Sequence, residues 1–179
     1  MGLVLKGGLM LVAFDGQVAK LRDIKPASVF ITRHNQSTLI GITAVYGNDP
    51  AVLLLNAPAG TQDLFPRLFS HHHMEMVLQD PDLAVLPDAV LIPNFSLSGL
   101  EFQSSVQDGP GMLTITTEHA IVRAARPDGA FVYVDVKSGN SSTGSVHGVE
   151  IPRWAIKTPI PGGVRTIFEF DGPKPRGTP

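Results

Sequence analysis

A chain of 179 residues with 43% hydrophobic and only 17% charged side chains, a net charge of -2 and no cysteine is sized for a single domain, since about 100 to 200 residues suffice to bury one full core. That balance leaves no basic patch for a nucleic-acid backbone, the missing cysteines exclude disulfides, thiolate metal sites and cysteine nucleophiles, and no apolar run approaches the ~20 residues of a membrane-spanning helix. An average soluble domain carries roughly 25% charged residues, so the sparse charge predicts a surface partly covered by further copies of the chain, a homo-oligomer.

The apolar start, residues 3–14, is interrupted by Lys6-Gly7-Gly8 and followed by Asp15-Gly16. Lacking a basic n-region and a small-x-small cleavage site, it is read as strand and not as a secretory signal, which makes the cytoplasm the expected location. Eighteen Gly and 15 Pro leave few windows for a helix longer than about three turns, and Val, Ile, Phe and Thr fill the gaps between them. Four Asp-Gly pairs, beginning at Asp15, Asp108, Asp128 and Asp171, supply the chemistry of tight turns, a residue tolerant of positive φ beside one without a Cβ.

In chain order, residues 3–14 and 17–24 predict a first hairpin around Asp15-Gly16, and residues 28–32 and 37–46 a second one around Arg33-His34-Asn35-Gln36. Residues 51–55 are apolar without alternation, as in a strand covered on both faces. From 57 to 79 the pattern changes. Leu64, Leu68, Phe69, His72 and Met76 favour one helix near residues 63–78 with those side chains inward, and the competing reading is a strand over 69–78 with His71, His73 and Glu75 on one face. The near-repeat Pro81-Asp82-Leu83-Ala84-Val85-Leu86 and Pro87-Asp88-Ala89-Val90-Leu91-Ile92 predicts two short buried strands, each begun by a Pro-Asp turn. A bulge is expected at Gly99 within the strand over 95–103.

Residues 112–122 predict one strand, with Leu113, Ile115, Thr117, His119 and Ile121 on a common face, turned back by Asp128-Gly129 into residues 130–136. The polar, Gly-rich stretch 137–144 is expected to be a flexible loop. Strands over 146–151, 154–156 and 164–171 complete a domain of residues 1–172, and 173–179 form a mobile Pro-rich tail. About a dozen short strands with at most one helix make this an all-β chain, a mostly antiparallel sandwich or barrel.

The strongest concentration of chemistry is Ser70-His71-His72-His73-Met74-Glu75-Met76, with three of the six histidines. On a strand, His71 and His73 project from one face about 6 to 7 Å apart and converge on one ion, while Glu75 stands ~13 Å from His71, so His119 or His147 from a neighbouring strand is the better third donor. On a helix, His71 and Glu75 become the i,i+4 pair and His72 turns inward with Met76. Asp80-x-Asp82 with Asp88 fits turns better than a hard-cation loop. No nucleophile elbow or phosphate-binding glycine loop is present, so no catalytic residue is assigned.

His71-x-His73 is similar to the start of the metal motif of the cupin family, β-barrels whose motif opens His-x-His. The similarity covers three residues. In that family the Glu follows four residues after the second His with a Gly beyond, whereas here Glu75 is two residues on and Gly99 is remote. The resemblance implies a mononuclear site of His71, His73 and Glu75, His119 or His147, holding one divalent ion as a Lewis acid. Two functions therefore stand side by side: an oligomeric β domain acting by small-molecule binding or by assembly, and a cupin-like metal-dependent enzyme. No organic cofactor is implied by either.

Overall fold

The computed structural model describes residues 16–58, 60, 65–78, 82–94, 109–144 and 146–172. The first half of the N-terminal hairpin, the bulge at Gly99 and the C-terminal tail lie outside the described residues. Within them the chain is all-β with a single α-helix. In order come β1 (Gln17–Lys20), a 3-10 turn (Leu21–Asp23), β2 (Val29–His34), β3 (Ser37–Tyr46), β4 (Asp49–Leu54), β5 (Arg67–Ser70) and α1 (His71–Leu78). There follow β6 (Asp82–Leu86), β7 (Val90–Pro93), β8 (Leu113–Ile115), β9 (Ala120–Ala125) and β10 (Phe131–Asp135). The last are β11 (Asn140–Ser142), β12 (Val149–Ile151), β13 (Arg153–Ile160) and β14 (Gly163–Asp171).

Strand pairing closes on itself. β3 pairs with β11, β11 with β10, β10 with β9, β9 with β5, β5 with β4, and β4 returns to β3. These strands therefore form a closed barrel, which removes their free edges. Two seams of the barrel are parallel, β11 with β3 at Asn140↔Val45 and Ser141↔Tyr46, and β5 with β9 at Arg67↔Ala125; the other four are antiparallel. From β3 the sheet continues outward through β2, β6 and β1, and from β9 through β8 and β12. A separate antiparallel sheet, β7–β13–β14, lays Trp154 and Ile156 against the barrel's core residues.

Alternation along β3 and β4 builds two cores from the same strands. Ile40, Ile42, Ala44, Ala51 and Leu53 join Val122, Val132 and Val134 in one cluster, while Leu39, Val52 and Leu54 belong to a second one with Phe30, Leu83, Met74 and Leu78. Residues 51–55 are thus buried on both faces, as their unbroken apolar run predicts. The outer core is closed by α1, whose Met74 and Leu78 are 2% and 8% exposed; full burial of such side chains stabilises by about 1.5 to 3 kcal/mol each. Gly41 is needed where it sits, because its cross-strand partner Phe30 lays its ring over the position a Cβ would take.

Two hairpins follow the sequence reading closely. β2 and β3 turn at Asn35-Gln36 with Asn35 at φ +53°, and β9 and β10 turn at Asp128-Gly129 with Gly129 at φ +82° and the Asp128 carboxylate accepting from Ala130 N. Other expectations are corrected. The strand predicted over 112–122 is two strands, because the Thr116 hydroxyl accepts from the backbone N–H groups of Glu118 and His119 and reverses the chain there. Residues 137–144 are not a free loop: β11 lies within them, and Val45 N bonds Gly139 O at 2.8 Å. Both Pro-Asp repeats do lead into strands, yet β6 and β7 join different sheets and Val90 and Ile92 of β7 are exposed. β1 takes β6 as its partner, with Lys20 paired to Asp82 at 3.1 Å.

Trp154 is 2% exposed, stacks on Phe170, and donates Nε1–H to Gly111 O at 2.7 Å. Gly111 holds φ +99°, and a Cβ there would overlap the Phe170 ring. Gly111→Ala is therefore expected to destabilise the fold by about 2 to 4 kcal/mol, combining positive-φ strain with overpacking, as measured by urea unfolding; a loss under 1 kcal/mol would show that this packing is looser than described.

Candidate functional site

Helix α1 starts directly after β5, with the Ser70 hydroxyl accepting from His73 N at 3.2 Å as the N-cap. That cap sets the phase of the helix. Met74 and Leu78 face the core, whereas His72 and Met76 are exposed. The inward set predicted for a helix started near residue 63 is therefore replaced, because residues 67–70 are consumed by strand pairing to β4. His71 and Glu75 fall on the flank of the buried stripe as an i,i+4 pair, Nδ1 to Oε1 3.7 Å, with side chains 17% and 33% exposed.

This flank borders a cleft of about 500 Å³ between α1, the 3-10 turn and the adjoining ends of β3 and β4. Its walls are largely apolar, with Leu21, Ile24, Val45 and Pro50 among them, and Arg22, His71 and Glu75 are the ionisable lining residues. Nε2 of His71 is buried and has no hydrogen-bond partner among the described residues. A buried polar atom without a partner costs about 1 to 3 kcal/mol. The lining is mostly apolar with a few polar groups, a composition common to small-molecule sites.

A second polar cluster lies at the β8–β9 and β10–β11 turns. His119 Nδ1 is 2.9 Å from Asp135 Oδ2, the Ser138 hydroxyl donates to the same oxygen at 2.8 Å, and Ala120 N and Lys137 N donate to Oδ1 at 3.3 and 3.1 Å. Asp135 is 8% exposed. Burial by itself pushes its pKa up, but the hydrogen bonds from His119, Ser138, Lys137 and Ala120 outweigh it and hold the carboxyl below its ordinary value. The other ring nitrogen of His119 lies 3.8 Å from Glu118 on the solvent side.

Of the five residues singled out in the sequence, the fold brings only His71 and Glu75 together. His73 stacks its ring on Phe69 at 5.3 Å, His119 is held by Asp135, and His147 is exposed ahead of β12. Among the described residues no three His, Asp or Glu side chains are grouped as a metal site. Sequence reasoning passed over Arg22 and Asp135. The Asp135-Val136-Lys137-Ser138-Gly139 run does carry a turn signal, Asp followed by Ser and Gly, that points to the second of them. No family model matches the chain, and no curated protein or solved structure is significantly similar to it.

A depressed carboxyl pKa in the folded state contributes stability that is fully present above the unfolded value, about 3.9 for Asp, and is lost as pH falls through the folded value. Asp135→Asn is expected to lower stability at pH 7 by about 1 to 3 kcal/mol and to flatten the acid limb of the stability curve below pH 4. Urea midpoints collected between pH 2.5 and 7 check this; parallel curves for both proteins would remove the assignment.

Proposed function

We propose that this chain is a ligand-binding β-barrel domain whose site is the cleft beneath α1. The observation that carries the reading is the buried Nε2 of His71, without a hydrogen-bond partner among the described residues, in the wall of an apolar cleft of about 500 Å³. Glu75 lies on the Nδ1 side of the ring, 3.7 Å away, so Nε2 is the atom left to meet a ligand. The reading is tested by ligand-observed NMR with small apolar-tailed amphiphiles, comparing the native chain with His71→Phe. Binding that weakens by about ten-fold or more in the variant, the loss of one buried hydrogen bond to a polar partner, supports it. Binding unchanged by the substitution places the ligand elsewhere.

The His71–Glu75 pair also supports a second reading, in which these two donors hold one divalent ion and water or substrate completes its shell. Elemental analysis of untagged protein purified without a metal column separates the two. Near-stoichiometric metal lost on Glu75→Ala favours the enzyme.

We further propose that the domain works as a homo-oligomer through the outward face of β7–β13–β14. Trp154 and Ile156 point inward, so Ala155, Lys157 and Pro159 point outward, and their cross-strand partners Ile92, Val90, Val164 and Glu169 share that face. Val164, Val90 and Ile92 are 65%, 52% and 39% exposed. Lys157 and Glu169 on the same patch give a two-fold partner an opposite charge for each. Sedimentation equilibrium at micromolar concentration is expected to show a dimer or higher species that Val90→Glu with Val164→Glu converts to a 19.1 kDa monomer. A monomer before substitution would sink this part.

A further inference from the structure

Resting on the ligand-binding reading, we infer that the cleft takes a small amphipathic carboxylate, with its head group between Arg22 and Nε2 of His71 and its hydrocarbon along the apolar wall. The ionisable groups facing His71 are few. From its own helix there is Glu75, from the 3-10 turn Arg22, and the lining positions of β3 and β4, such as Thr43, Pro50 and Ala51, carry no ionisable side chain. Glu75 occupies the Nδ1 side of the ring. The buried Nε2 lies on the other side of the ring and, as an N–H, donates to an anionic acceptor in the cleft.

Arg22 supplies the positive group. Arg22 lines the cleft and has no acidic partner among the described residues, so its guanidinium is available to a carboxylate as a fork of donors. The rest of the lining decides the other half of the ligand. Leu21, Ile24, Val45 and Pro50 offer no hydrogen-bond donors of their own side chains, which suits a hydrocarbon tail and not a sugar or nucleotide.

Isothermal titration of the full chain with octanoate, octanol and octylammonium tests the inference. Octanoate is expected to bind most tightly, with about ten-fold lost in Arg22→Gln and a smaller loss for octanol. Arg22 is exposed, so this variant keeps the fold even if a His71 substitution does not. Equal binding of octanol and octanoate, or tightest binding of octylammonium, overturns the carboxylate inference and leaves the cleft as a binding site. No binding by any of the three overturns both readings together.

Discussion

A barrel exists only if its last strand finds its first, and in this chain closure depends on an unpromising segment. β11 is three residues, Asn140-Ser141-Ser142, with no hydrophobic side chain to anchor it. Its position is fixed from one side by Asp135, which gathers Ser138, Lys137 N, Ala120 N and His119 and so shapes the β10–β11 turn. From the other side β3 receives it through Val45 N to Gly139 O and the Ser141 hydroxyl to Val45 O at 2.6 Å. Gly139, at φ +78°, lets this turn pass Pro26 and Ala27 at a distance that a Cβ would close. Polar atoms here do the joining that apolar packing does elsewhere in the barrel.

Closure has a consequence on the far side of the same strands. Once Ile42, Ala44, Ala51 and Leu53 point into the barrel, strand alternation sends Leu39, Val52 and Leu54 outward, and these require a cover. Helix α1 provides it with Met74 and Leu78. An eight-residue helix is too short to be stable alone, so its place is dictated by that apolar strip, and its remaining flank, His71 and Glu75, is left overhanging the ends of β3 and β4. The cleft is the space beneath that overhang, bounded on its third side by the 3-10 turn that follows β1.

Much of the fold is legible in the sequence because it is written in short-range chemistry. Asn35-Gln36 and Asp128-Gly129 are turn signals between β-branched runs, and the unbroken apolar run at 51–55 announces burial on two faces. The misread places depend on partners remote in the chain. Thr116 has the alternation of a strand around it, yet its hydroxyl captures two backbone amides and ends β8. Residues 137–144 have the composition of a loop, but Asp135 and β3 give their backbone groups partners. For residues 67–78 the helical and strand periods were both present, and the chain uses both in succession, strand to Ser70 and helix from His71. The His71–Glu75 pair was visible as one branch of that choice. Arg22 was not, since only folding brings the 3-10 turn beside α1.

The two polar clusters illustrate how burial separates structure from function. Asp135 is buried and every interaction drawn to it is internal: its oxygens accept from two side chains and two backbone amides, which keeps it ionised and leaves little for an outside molecule. A satisfied network of this kind specifies a fold. His71 is the opposite case, with one ring nitrogen near Glu75 and the other buried without a partner among the described residues. A packed interior has no reason to keep such an atom, because an apolar side chain of similar shape avoids the cost. The cleft beside it has room for a partner of the kind proposed above.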